Sequence, residues 1–179
     1  MELMKKLITV LALAVISACF TANADRFTPI TVTDINGKSV NLPVGHRCLV
    51  AFYWDECVPC HRAMKTLHDT ENEVREALTE EWQLFEIWNP RIYIITGYDT
   101  QEEKQRIIER FKTRNWDTSR LYFVKDAKKC WNYLAGYEIK AVPAIMELND
   151  KNEIINTFIG TSPTLGEKLF TIMHNNLSL

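Results

Sequence analysis

Apolar and polar positions along this chain repeat with two different periods, and the switches between them mark the elements. Ile30-Thr31-Val32-Thr33 and Ser39-Val40-Asn41-Leu42 flank Asp34-Ile35-Asn36-Gly37-Lys38. Short strand-like runs around an Asn-Gly turn predict a β-hairpin. Cys48 to Trp54 is a continuous apolar run, as expected of a strand buried on both faces. Residues 59–78 read as a helix with Pro59 in its first turn. Arg91 to Thr96 reads as a second buried strand. Thr100 to Arg114 is amphipathic, with Ile107, Ile108 and Phe111 on one face and its Glu, Lys and Arg residues on the other. Leu121 to Val124 is a short extended segment, and Ala127 to Leu134 a short helix ended by Gly136. Pro143 to Leu148 and Glu153 to Ile159 form a second hairpin around Asn149-Asp150-Lys151-Asn152, and a last helix spans about Pro163 to His174. Strands alternating with helices, then an antiparallel hairpin and a helix, predict an α/β sandwich with a mixed central sheet.

Residues 1–24 break this pattern. Lys5 and Lys6 precede an uncharged apolar run from Leu7 to Ala18, and Ala22-Asn23-Ala24 is a small-residue cleavage site before Asp25. That order is expected of a secretory signal peptide, with a mature domain of residues 25–179. The run is short for a membrane span. Ile16-Ser17-Ala18-Cys19 resembles a lipobox, which would instead leave Cys19 as a lipid-bearing first residue and tether the domain to a membrane. Under either cleavage the domain is expected in the periplasm or otherwise outside the cytoplasm. Loss of Glu2, Lys5 and Lys6 takes the formal charge from −2 to −3 and leaves Cys48, Cys57, Cys60 and Cys130. An oxidising compartment lets disulfides persist.

Composition narrows the class only slightly. A hydrophobic fraction of 46% and a charged fraction of 25% are ordinary for one globular domain. The near-neutral charge, without a basic run, gives no reason to expect a nucleic-acid partner. His46, His68 and His174 are scattered and suggest no metal site.

The chemistry concentrates at Cys57-Val58-Pro59-Cys60, where a buried strand turns into a helix. Cys57 is placed at a helix N-terminus, where free N–H groups and the helix dipole favour a thiolate. Cys60 lies one turn further in, within disulfide reach. The outer thiolate can attack a partner disulfide, and the inner thiol can then resolve the mixed disulfide.

With these residues the sequence resembles the thioredoxin-like superfamily, in particular its TlpA/ResA-like extracytoplasmic branch. Asp34 to Lys38 looks like that branch's N-terminal hairpin, Leu49 to Tyr53 like its first central strand, and Ala141-Val142-Pro143-Ala144 like its cis-proline segment, followed by the hairpin from Ile145 to Phe158 and by Gly160. The resemblance implies a thioredoxin fold and a thiol–disulfide oxidoreductase with Cys57 as nucleophile and Cys60 as resolving thiol. It also implies a cis Val142–Pro143 bond beside the Cys57 sulfur, presenting Val142 backbone groups to an extended substrate segment. Its partners would be protein thiols and disulfides together with an electron donor or acceptor. Its redox group would be the disulfide itself, with no further cofactor.

Several residues depart from the family. Glu56 stands where thioredoxins carry Trp, Ala51 where they carry a buried acid, and Ala63 where the TlpA/ResA-like branch often carries Glu. The nearby titratable groups are therefore Asp55, Glu56 and His61. His61 is the candidate proton shuttle, with an ordinary pKa of about 6.5. Asp55 and Glu56 are like charges beside the thiolate, which would raise its pKa and favour a reductase. Arg62 and the helix end act the other way.

Cys48 and Cys130 are expected as unpaired buried thiols rather than a second disulfide. Trp82, Phe85 and Trp88 form a stripe that reads as packing or as a partner surface. Two other classes of function fit parts of the pattern. Cys57 to His61 matches C-x-x-C-H, the haem attachment pattern, and a thioredoxin fold can also serve as a non-catalytic binding module for a peptide or metal. A thiol peroxidase would need Thr-x-x-Cys in this turn, which is not there.

Overall fold

The structure is a computed structural model that describes residues 26–43, 45–79 and 91–175. The expected signal peptide with Cys19, and the stripe Trp82, Phe85 and Trp88, lie outside the described residues. The elements, in chain order, are β1 (Ile30–Thr33), β2 (Ser39–Leu42), β3 (Cys48–Phe52), α1 (Val58–Thr79), β4 (Ile92–Tyr98), α2 (Gln101–Thr113), a 3-10 turn (Thr118–Arg120), β5 (Leu121–Lys125), α3 (Ala127–Ala135), β6 (Ala144–Leu148), β7 (Ile154–Ile159) and α4 (Leu165–Asn175). Each expected element is present, with bounds shifted by one to a few residues.

The strands form one mixed sheet in the order β2-β1-β5-β4-β3-β6-β7. β3 and β4 are parallel, as are β4 and β5; β6 runs antiparallel to β3 and β7, and β1 antiparallel to β2 and β5. β3 is central, and all five of its residues are buried. Its side chains alternate between faces, the period expected of a pleated strand. Leu49, Ala51 and Tyr53 enter the core shared with α1, α2 and α4, where Met64, Leu67, Ile107, Phe111, Leu169 and Met173 also pack. Cys48, Val50 and Phe52 enter the core beneath α3, with Cys130, Leu134 and Phe27. A strand with an apolar partner layer on each side needs no polar face, which is why this run reads as continuous.

The helices form where caps and spacing dictate. In α1, Cys60, Ala63, Met64, Leu67, Val74 and Leu78 are buried along one stripe at helical spacing. The Thr100 hydroxyl accepts from the Glu103 N–H (3.1 Å) at the start of α2, and Asp126 accepts from the Lys128 and Lys129 N–H groups (3.0 and 3.3 Å) at the start of α3. Such caps satisfy helix donors that would otherwise lack partners. α3 comes close to β4 because Gly97 has no side chain: a Cβ there would lie 2.7 Å from Ala127 Cα and 3.2 Å from Cys130 Cβ.

Two buried carboxylates tie the layers together, and the apolar pattern gives no warning of either. Glu147 on β6 accepts from Arg47 Nη2 (2.6 Å) and Asn156 Nδ2 (2.6 Å). Glu71 on α1 receives both terminal nitrogens of Arg120 from the 3-10 turn, and Arg75 (3.0 Å). A buried carboxylate stays charged only when paired and hydrogen-bonded, so both sites fix helix or strand positions.

Candidate active site

β3 ends at Phe52, and residues 53–57 turn the chain from the sheet into α1. The Tyr53 N–H still donates to the Ile95 carbonyl (2.9 Å), so the turn starts anchored to β4. The Cys57 N–H closes it by donating to the Trp54 carbonyl (3.2 Å). Cys57 is therefore delivered to the position just before a 22-residue helix whose opening turn holds no acidic residue, and its carbonyl accepts from the His61 N–H (3.2 Å). Cys57 and Cys60 form a disulfide with Cα atoms 5.1 Å apart. Cys57 is half-buried and Cys60 fully buried, the asymmetry expected of an attacking and a resolving sulfur. The Cys60 N–H donates to Cys57 Sγ over 3.1 Å. That bond and the free end of the helix are the groups that would stabilise a Cys57 thiolate.

The opposite wall comes from the segment before β6. The Val142–Pro143 peptide bond is cis. The Val142 carbonyl oxygen lies 3.6 Å from Cys57 Sγ, although 85 residues separate the two in the chain. Pro143 is buried, and its carbonyl accepts from the Gly160 N–H (2.8 Å) at the end of β7, so the segment is held from behind. Val58 is 62% exposed beside the disulfide, and Pro59 is exposed too. The accessible ground around Cys57 thus combines apolar side chain, one backbone carbonyl and the exposed carboxylate of Glu56.

Ala51 and Ala63 are both buried, so neither position supplies an acid to Cys60. The sequence presents Asp55 and Glu56 as a pair of like charges, but the structure separates them. Glu56 is 91% exposed, with one carboxylate oxygen 3.9 Å from Arg106 Nη2. Asp55 is only 4% exposed. Its carboxylate accepts from the Tyr53 hydroxyl (3.1 Å) and from Arg106 Nε (3.1 Å), and lies 2.7 Å from Arg110 Nε. Burial, with the Asp55 charge adding to it, pushes the Tyr53 hydroxyl well above the ordinary tyrosine value and keeps it a donor.

His61 faces this same network. Its Nε2 sits 2.6 Å from the Asp55 backbone carbonyl oxygen, and its ring stacks on Tyr53 at 5.7 Å. A carbonyl can only accept, so Nε2 carries the proton and Nδ1 is the ring nitrogen left to take one.

Cys48 and Cys130 are both free and buried. Burial raises each thiol to about 12. Register keeps them apart. Leu49 pairs with Ile92, which sets Cys48 near Arg91, whereas Cys130 packs on Gly97, six residues further along β4. At a rise of about 3.3 Å per residue, that is roughly 20 Å.

Sequence reasoning missed two features next to the site. Trp54 and Trp131 pack with centroids 4.6 Å apart and planes tilted by 35°, joining the active-site turn to α3. Arg106 and Arg110 converge on Asp55. Their i, i+4 spacing on α2 was the available signal, but it also fits an ordinary solvated face.

No protein-family model matches the chain, and no curated protein matches it. Solved structures do. A thiol:disulfide interchange protein from Bacteroides sp. superposes with a TM-score of 0.62 at 20% identity, covering 88% of this chain and 91% of that one. The thioredoxin domain of a thiol-disulfide oxidoreductase from Bacteroides vulgatus gives 0.58 at 21% identity, covering 88% and 96%. An exposed lipoprotein thioredoxin from Streptococcus pneumoniae gives 0.52 at 13%, covering 81% and 98%. The sheet order, the helix that follows β3 and these superpositions agree that the chain adopts the thioredoxin-like fold.

Proposed function

We propose that the protein is an extracytoplasmic thiol–disulfide oxidoreductase that exchanges disulfides with partner proteins through Cys57 and Cys60. The observation that carries this reading is the placement of Cys57 Sγ between the Cys60 N–H and the Val142 carbonyl at the start of α1. In the reduced protein the Cys57 thiolate attacks one sulfur of a partner disulfide, and the other partner sulfur leaves as a thiolate. Cys60 then loses its proton and attacks Cys57 Sγ. The second partner sulfur leaves, and two electrons have passed to the partner. In this reading the Val142 carbonyl pairs with an N–H of an extended partner segment. Oxidation of a partner dithiol is the same sequence reversed.

The proposed direction is reduction of the partner. Asp55 is paired, so the charge argument rests on the exposed carboxylate of Glu56 beside Cys57. His61, with Nδ1 as its accepting nitrogen, remains the proposed proton shuttle. Burial of Cys60 and engagement of His61 Nε2 weigh for exchange over haem attachment at the same motif, since a thioether bond needs an accessible sulfur. Export rests on the order of charge, apolar run and cleavage site in residues 1–24, with lipid attachment at Cys19 as the alternative. The likeness to an exposed lipoprotein thioredoxin supports a location outside the cytoplasm. The test is reduction of a model protein disulfide with dithiothreitol as the electron source. The wild-type protein should accelerate it and Cys57→Ser should not. Equal rates with and without the wild-type protein would overturn the reading.

A further inference from the structure

We propose that Arg106 and Arg110 are positioning residues that set the reduction potential of the Cys57–Cys60 pair by neutralising Asp55. The inference rests on the function proposed above.

Asp55 is bound on two sides. Its carboxylate is held by two arginines from α2, and its backbone carbonyl receives His61 Nε2 from α1 (2.6 Å). The turn that delivers Cys57 is thereby pinned between the two helices that flank it. The arginines are four residues apart, one helical turn, so both reach the same carboxylate. Arg110 Nε has no hydrogen-bond partner of good geometry, yet it is buried and 2.7 Å from Asp55 Oδ1. Its attraction to Asp55 is therefore one of charge more than of directed bonding.

The chemistry makes this charge balance matter. The disulfide takes up two electrons and one proton to give a Cys57 thiolate and a Cys60 thiol. One negative charge appears at Cys57, two residues from Asp55, no more than about 7 Å along the chain between Cα atoms. The Asp55 carboxylate is almost fully buried, and salt screens a buried charge much less than an exposed one. The groups paired at the site are two carboxylates, Asp55 and Glu56, and two guanidinium groups, Arg106 and Arg110, while Arg62 on α1 and Arg114 at the end of α2 are exposed cations nearby. Without Arg106 and Arg110, a new anion would form beside two unpaired carboxylates, and the reduced state would be disfavoured. Without the Asp55 charge, the arginines would favour it.

The two perturbations therefore move the potential in opposite directions, which a merely structural role for the cluster would not do. The experiment is a redox titration of the purified protein against glutathione at pH 7 and pH 9, for wild type, Asp55→Asn, Arg110→Gln, Arg106→Gln, Arg110→Lys and the double variant Asp55→Asn/Arg110→Gln. Each arginine-to-glutamine change should shift the exchange equilibrium about threefold to tenfold toward the disulfide, and Asp55→Asn by a similar factor toward the dithiol. The double variant should return near wild type, and Arg110→Lys should keep the wild-type value. If Arg110→Gln fails to fold, Arg106→Gln carries the test, since Arg106 is half-exposed. Shifts of the same sign, or no shift beyond twofold at either pH, would overturn the proposal. A wild-type protein with no reversible transition would instead overturn the functional reading beneath it.

Discussion

Cys57 Sγ and the Val142 carbonyl oxygen lie 3.6 Å apart, bringing a helix N-terminus and a strand entry together across 85 residues of chain. On one side of the sulfur are donors that can hold a thiolate. On the other is an acceptor that can hold a partner's backbone. The pairing places the reactive atom beside the edge proposed to dock a partner, which would then present its own sulfur to Cys57.

If Cys57 attacks and Cys60 resolves, removing Cys60 should stop the reaction halfway. Cys60→Ser should accumulate mixed disulfides with protein partners, visible as bands that vanish on reduction, while Cys57→Ser should form none. Turnover in Cys60→Ser should fall by at least about 100-fold, because the step that releases the partner is intramolecular. Equal trapping by both variants would assign the attacking role elsewhere.

The remaining cysteines should be silent. Burial raises Cys48 and Cys130 to about 12, so neither is a thiolate near neutrality. Residues 25–179 carry Cys48, Cys57, Cys60 and Cys130. At pH 7.5 the reduced native protein should be alkylated first at Cys57, with Cys48 and Cys130 labelled only after denaturation. Peptide mass mapping reads this directly, and early labelling of Cys130 would contradict it.

The same two thiols make stability fall in alkali. The folded protein holds their protons up to about 12, whereas unfolded thiols release them near 9. Folding then binds protons, and stability declines as pH rises through that window. By pH 10.5 the loss should be about 1–2 kcal/mol per thiol. Urea unfolding of the oxidised protein at pH 7 and 10.5 measures it. Cys48→Ala/Cys130→Ala should reduce the dependence by that amount, leaving the part owed to the Tyr53 and Tyr133 hydroxyls, which burial also raises, and an unchanged slope would contradict the argument.

Most of the fold was legible because strands and helices differ in period. Cys48 to Phe52 alternates between two apolar layers, and α1 and α2 each bury one stripe. Cys57 and Cys60 were legible because local rules place them at a strand, a turn and a helix, whereas the family resemblance, not a local rule, put Val142 and Pro143 beside them. The Asp55 cluster was not. Nothing in Arg106 and Arg110 tells a solvated pair from one that reaches across to another element, because that depends on how α2 packs. Glu147 was hidden for the same reason, since a lone Glu in a strand gives no sign of Arg47 and Asn156 waiting on either side.

Glu147 also gives a stability test independent of the redox chemistry. Arg47→Met removes the cation from a carboxylate that is almost fully buried. Breaking one side of such a pair costs about 3 kcal/mol, and changing both partners to apolar residues costs less. Urea unfolding should show Arg47→Met less stable than Arg47→Met/Glu147→Met. The reverse order would mean the pair contributes little.

Gly97 should tolerate no side chain. A Cβ at 2.7 Å from Ala127 Cα meets backbone that cannot swing aside, so α3 must shift. Gly97→Ala should cost about 1–3 kcal/mol, seen as a lower midpoint in urea. A neutral result would show that α3 is free to move.

The central claim is that Cys57 and Cys60 form a reversible redox pair, and the most direct test is a redox titration of residues 25–179 at pH 7, followed by thiol alkylation and intact mass. The expected result is one cooperative two-electron transition, mapped to Cys57 and Cys60, at about −270 mV or below, as suits a reductase. A transition near −120 mV would reverse the direction of electron flow, and the absence of any reversible transition at this pair would contradict the account.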